Sequence, residues 1–432
     1  MRDIEVTKCQ IAAAVIGNAL EWYDFIVYGY LTVVISRLFF PAETEYASLL
    51  LAAATFGVGF VMRPVGGILI GLYADRKGRK AALQLIMLLM TAAIALIAFA
   101  PTYASIGIAA PLIIVLARLL QGLATGGEFA SATSFLVEIA PPGRRGFYGS
   151  LQMMGQSLAA LVGATVGMVM TQILTSEQID QWGWRLPFAL GLLIGPVGLY
   201  IRRHLQEPQP FTEAVRSNEK PPLTLVTIWH HHTRSILVCL ALVIPCTILF
   251  YVILIYMPTY AKTQLGIPLK QAFTAQVMGL LCLAVATPFF GTLADRVGRR
   301  PMLMVGNLLF MALPYPLFFW LLTDPGMVRL MVMQVVLCSS AAIMTGAIST
   351  ALADQFPISV RSTGLALSYN TAVMIFGGFA QLIVTWLIQV SGTPLALALY
   401  VIFGAVLGFL GTLGMIESMD ERNKASSSGC GS

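Results

Sequence analysis

The sequence predicts an all-α membrane protein whose twelve spanning helices form two six-helix halves. Three observations carry this expectation. The 432 residues are 57% hydrophobic and 11% charged, whereas soluble domains carry about a quarter charged residues. Too few charges remain to coat a surface in water, so the bilayer must be the solvent. About twelve apolar runs reach the roughly 20 residues that a spanning helix needs. Finally, the turn from Gly71 to Lys80 (GLYADRKGRK) returns from Gly291 to Arg300 (GTLADRVGRR) with six of ten positions identical. Each copy ends one apolar run and precedes another, which marks an internal repeat.

Taken in order, the apolar runs place helices at 10–38, 49–74, 80–100, 107–138, 147–173, 184–203, 235–262, 271–294, 301–322, 327–351, 363–390 and 394–416. The one long polar connection, 204–234, holds Pro208, Pro210, Pro221 and Pro222 and reads as a linker between the halves. The expected organisation is a bundle at 1–203, a cytoplasmic linker at 204–234, a second bundle at 235–422 and a disordered Ser/Gly-rich tail at 423–432. A second echo supports the repeat. Glu138 precedes Pro141 by three residues and Arg145 by seven, and Asp354 stands in the same relation to Pro357 and Arg361.

Lys and Arg are partitioned by loop. With the N-terminus assigned to the cytoplasm, nineteen fall in cytoplasmic segments and five in outer ones, while Arg63 and Arg118 lie inside helices. This asymmetry places both termini in the cytoplasm, as expected of a multi-pass protein of a bacterial inner membrane. The net charge of +6 is therefore no sign of nucleic acid. The six Cys are scattered through apolar runs without ligand spacing and read as small hydrophobes. His230, His231 and His232 are adjacent and cannot share one helix face, so neither metal nor cofactor is expected. With no His inside the membrane, an intramembrane nucleophile–base pair or metal cluster is also not expected, which argues against an enzyme. A receptor would need a sizeable soluble output domain, and the chain has none.

The intramembrane charges carry the functional expectation. Gly17, Glu21, Asp24 and Tyr28 fall within about 60° on a helical wheel, with Asn18 at the margin. Carboxylates facing lipid are costly, so this face should line the bundle interior or a water-filled cavity. Two acids three residues apart in low dielectric cannot both ionise easily and should titrate as a coupled unit, as proton carriage requires. Arg118 shares its helix face with Gln121, Thr125 and Glu128. A guanidinium at the midplane needs an anionic partner, either a substrate carboxylate or the acids of the first helix. Glu128 lies about 15 Å further toward the cytoplasm and is a third proton candidate. Arg63, before Pro64, Gly66 and Gly67, suits a gate or a second anion contact. Gln152 and Gln156 would complete a polar cavity in the first half, and Tyr369 and Asn370 would contribute hydrogen bonds from the second. Asp75, Arg76, Arg79, Asp295, Arg296 and Arg299 in the repeated loops are expected to gate, pairing with Glu138 and Asp354 in one conformation and releasing them in another.

The repeated loop, G-x-x-x-D-R-x-G-R-[KR], resembles the signature of the major facilitator superfamily, and Arg118-Leu119-Leu120-Gln121-Gly122 resembles its R-x-x-Q-G motif. Residues 17–25 (GNALEWYDF), 62–67 (MRPVGG), Gly126-Gly127-Glu128, 182–188 (WGWRLPF) and 375–378 (IFGG) are similar to the metabolite:proton symporter family. Residues 39–43 (FFPAE) and 205–207 (LQE) resemble its citrate:proton symporter branch. The resemblance implies a monomeric secondary transporter that rocks about a midplane site and takes up citrate or another tricarboxylate with protons. A dicarboxylate or a betaine-type zwitterion is the alternative substrate. Efflux is disfavoured because Gly163 and Gly167 in the fifth helix are not followed by the proline of the exporters' Gly-Pro motif.

Overall fold

A computed structural model describes residues 15–16, 18–19, 22–77, 79–126, 128–192, 225–357 and 360–415. No strand occurs among them. We number the spanning helices in chain order. Helix α1 runs through 22–30 and, after a turn at Leu31, Thr32–Phe39. It is followed by α2 (Glu45–Lys77), α3 (Arg79–Ala98), α4 (Ala109–Ala124 and Glu128–Glu138), α5 (Arg145–Ile173) and α6 (185–192). The second half holds α7 (Leu225–Ile248, Leu249–Tyr256, Met257–Leu265), α8 (Leu269–Val297), α9 (Arg299–Thr323), α10 (Met327–Ala353), α11 (Arg361–Ser391) and α12 (Ala396–Leu413). Eight of these are long and apolar enough to cross a membrane, and Gln84–Ala98 and Ala109–Ala124 are shorter apolar helices. The described parts of α1 and α6 adjoin residues outside the description.

The expected twelve helices are found, but several are not continuous. Helix α4 is interrupted at Thr125 and Gly126, where the Gly126-Gly127 sequence disfavours helix. In α7 and α11 the segments Leu249–Tyr256 and Val373–Gly378 are wound as π-helix, a form that often marks functional sites. Helix α9 changes course at Leu313, where Pro314 begins a new segment. The assigned linker is shorter than expected at its far end, since residues 225–234 are already helical and the backbone departs from helix only at His232. The expected tail at 423–432 lies outside the described residues.

Large apolar side chains such as Leu88, Val285 and Phe289 are exposed on the outer helix faces, where lipid rather than water would meet them. Inside, helices approach through small residues. A Cβ on Gly122 would strike the carbonyl of Gly59, one on Gly66 the carbonyl of Leu123, and one on Gly126 the carbonyl of Arg63. Helices α2 and α4 therefore touch backbone to backbone, as small residues permit in membranes. A second seam joins the halves, with Gly146 of α5 against the Gly291 carbonyl of α8 at 2.5 Å from an added Cβ.

The α2–α4 seam makes a sharp contrast testable. Gly122→Ala should destabilise the protein by about 1–3 kcal/mol or more through overpacking. Gly67→Ala, whose Cβ would sit 3.4 Å from the Gly126 carbonyl, should be tolerated. Thermal unfolding of the detergent-solubilised variants reads the difference, and equal melting temperatures would refute the seam.

Candidate functional site

The candidate site is a cavity between the halves, lined by Asn18, Trp22 and Phe25 of the first helix, Arg63, Thr125, Phe129 and Tyr369. Arg63 is 3% exposed. Its guanidinium lies 4.2 Å from the Phe60 ring centre, 4.9 Å from that of Phe25 and 5.5 Å from that of Trp22, a cation–π setting that holds the charge without a rigid ion pair. The Arg63 Nε and the Asn18 Oδ1 find no hydrogen-bond partner among the described residues. Buried polar atoms are normally paired, so these two are suited to a ligand.

Of the two partners expected for Arg118, the structure places a first-helix acid, Asp24, near it. Arg118 is completely buried and does not line the cavity. Its guanidinium rests 3.8 Å from the Tyr28 ring centre, 5.0 Å from that of Phe56 and 5.4 Å from that of Phe25. It donates to the Gln121 Oε1 at 2.6 Å, and Asp24 is close enough for the two charges to interact. Phe25 therefore stands between the two guanidinium sites, one opening to the cavity and one sealed beneath it. Asp24 is buried and faces α6, where a Cβ on Gly191 would strike its carboxylate. Tyr28 hydroxyl donates to the Ala52 carbonyl at 3.2 Å. The acidic face expected on the first helix thus turns its Asp24 toward Arg118 and α6. Glu21 and the Glu128 side chain lie outside what the structure describes, and each immediately precedes a cavity-lining aromatic residue, Trp22 or Phe129.

The other expected binding residues separate in the same way. Gln121 serves Arg118. Gln156 and Tyr369 line an adjoining chamber, whereas Gln152 is buried beside it with neither amide atom partnered among the described residues. Asn370 does not line the cavity. Its amide donates to the Gly126 carbonyl at 2.6 Å, using an acceptor that the interruption of α4 leaves free of the helix ladder. Next to it Phe129 stacks on Tyr369, with ring centres 3.6 Å apart and planes 6° from parallel. Together these contacts close the cavity across the two halves. The aromatic residues Trp22, Phe25 and Phe129 were not singled out from sequence, because in apolar runs an aromatic side chain is equally a core residue.

At the end bearing the repeated loops, ion pairs join the halves crosswise. Arg145 of α5 meets Asp354 of α10 at 2.9 Å, and Arg361 of α11 meets Glu138 of α4 at 3.1 Å. The acids were expected to pair with basic residues of the loops. Arg299 does approach Asp354, at 3.9 Å, but Glu138 takes its partner from the opposite half. Asp295 accepts from the backbone amides of Gly146 and Phe147 at 2.6 and 3.0 Å, so an anion of one half caps a helix N-terminus of the other. Arg296 is exposed. The side chains of Asp75, Arg76 and Arg79 lie outside the described residues. On the far side of the cavity the halves also meet: Tyr30 hydroxyl donates to the Leu254 carbonyl at 2.8 Å and Thr32 bonds Gln381 at 3.0 Å. Contacts between the halves thus lie on both sides of the cavity. No cluster of His, Cys, Asp or Glu able to hold a metal occurs among the described residues.

The family model of the Major Facilitator Superfamily matches residues 15–286 and 275–428. A citrate-proton symporter of Salmonella typhi is 36% identical over 398 residues, 92% of this chain and 91% of that protein. A glycine betaine/proline/ectoine/pipecolic acid transporter of Dickeya dadantii is 32% identical over 421 residues, 95% of this chain and 83% of that protein. The crystal structure of a D-xylose-proton symporter is similar with a TM-score of 0.76 at 17% identity, covering 96% of this chain and all of that one, a likeness of fold. With the family model matched from residue 15 to residue 428 and relatives aligned along most of their length, the chain belongs to the Major Facilitator Superfamily.

Proposed function

We propose that this protein is a secondary active transporter that takes up an organic carboxylate together with protons, by alternating access across a bacterial inner membrane. Both termini would face the cytoplasm. The observation that carries the reading is the cavity between the halves that is lined by Arg63 and by Asn18, whose Oδ1 has no partner among the described residues. A guanidinium in a water-poor cavity is suited to a carboxylate by charge and fork geometry. Citrate is the first substrate to test, because relatives aligned over 92% of the chain are named citrate-proton symporters. A tricarboxylate exceeds the charge of one guanidinium, and co-bound protons would offset the excess, which fits symport.

One observation favours a second reading. Trp22, Phe25, Phe129 and Tyr369 surround the single cavity guanidinium, and aromatic faces attract quaternary ammonium groups. A betaine-type zwitterion could place its carboxylate on Arg63 and its cation over the rings. Arg118 we assign to holding Asp24 and the helix packing, with Asp24, Glu21 and Glu128 as the proton-coupling candidates.

Proteoliposomes should accumulate labelled citrate under an inward proton gradient, and unlabelled citrate should abolish the signal. Accumulation of a betaine or dicarboxylate instead would keep the mechanism and change the substrate, whereas no gradient-driven uptake of any of them would sink the proposal. Glu21→Gln or Asp24→Asn should remove the dependence on the gradient while binding survives.

The two arginines should part company. Arg63→Ala should weaken citrate binding about 10–100-fold, the loss of a charge-assisted hydrogen bond. Arg118→Ala should chiefly lower stability, by about 3–5 kcal/mol, because it leaves Asp24 buried without its counter-charge. Calorimetric titration and thermal unfolding of the same preparations separate these effects; undiminished affinity in Arg63→Ala would refute its role. At the closed end, Asp354→Arg should slow transport, and adding Arg145→Asp should restore part of it if the crosswise pair is a latch.

A further inference from the structure

The central cavity has a second chamber. Trp22, Phe129 and Tyr369 line both the Arg63 chamber and an adjoining space that reaches into the second half. The far wall is Val243, Leu249, Phe250, Ile348 and Leu352, from α7 and α10. None of the described residues lining this space carries a formal charge. Gln156 is 3% exposed there, and its amide nitrogen has no partner among the described residues. A carboxylate moving into this chamber from the Arg63 side would leave the guanidinium for walls whose described residues carry no charge of their own. Methylene or ring carbons entering it would gain by leaving water. The two chambers therefore suit the two ends of one ligand, a charged head on Arg63 and an uncharged body beyond the Trp22, Phe129 and Tyr369 partition.

We propose that the second chamber is a subsite for the hydrocarbon body of the substrate, so that the protein accepts carboxylates bearing an uncharged aliphatic, alicyclic or aromatic body of about ring size. The proposal rests on the carboxylate reading above. The Gln156 amide would donate one hydrogen bond, which admits a hydroxyl or carbonyl oxygen on the body. A compact acid would leave the chamber unfilled.

Calorimetric titration of the full chain in detergent with acetate, cyclohexanecarboxylate and cyclohexylmethanol tests this. Cyclohexanecarboxylate should bind on the order of tenfold or more tighter than acetate, from the added buried carbon. Ile348→Phe, which fills the chamber, should erase that difference. Leu352→Ala, which enlarges it, should improve binding of the bulkier adamantanecarboxylate relative to cyclohexanecarboxylate. Equal affinity for acetate and cyclohexanecarboxylate in the unmodified protein overturns the subsite and leaves carboxylate transport standing. If cyclohexylmethanol binds as tightly as cyclohexanecarboxylate and Arg63→Ala changes neither, the carboxylate head is overturned and with it the reading on which the subsite rests.

Discussion

Backbone contact between α2 and α4 is the constraint on which the rest of the first half depends. Gly59, Gly66, Gly122 and Gly126 leave no room for a Cβ between the two helices, and in lipid such close approach replaces the hydrophobic drive that water would supply. The contact sets where the two intramembrane guanidinium groups lie. Arg118, on α4, is turned into a cage of Tyr28, Phe25 and Phe56, while Arg63, on α2, is turned toward the opposite half. It also brings the Gly126 carbonyl out of the α4 ladder to meet Asn370. One seam of small residues thereby positions a structural charge, a cavity charge and a closure contact.

Closure of the cavity relies on weaker and more separable interactions. The loop end is held by the Arg145–Asp354 and Arg361–Glu138 pairs and by Asp295 on the α5 N-terminus. The far side is held by single hydrogen bonds from Tyr30 and Thr32. Side-chain contacts of this kind can be exchanged one set at a time, whereas the glycine seam within a half cannot open without exposing backbone to lipid. The division between rigid halves and exchangeable links between them is the physical basis for rocking about a central site.

The crosswise pairs show how a sequence regularity acquires meaning in three dimensions. Glu138 and Arg145 stand seven residues apart, as do Asp354 and Arg361, which marks them as equivalent. The spacing does not say which basic residue meets which acid, and Arg299 of the second loop also approaches Asp354. In the folded chain the arginine of each half crosses to the acid of the other, because pseudo-symmetric halves present complementary charges at the same level.

By itself the sequence determined the twelve helices, their grouping into two halves and the short list of intramembrane charges. These rest on local quantities, the apolar content of each run and the placement of charge at its ends. The interruption of α4 was not read from the apolar run, which predicts one helix over 107–138. Only the tertiary structure decided that Arg63 rather than Arg118 opens to the cavity, that Asn370 bridges the halves, and that the cavity wall is largely aromatic. A helical wheel shows which residues share a face, but the neighbour that covers that face is chosen by long-range packing, and an arginine sealed by rings reads in sequence the same as one that faces a ligand.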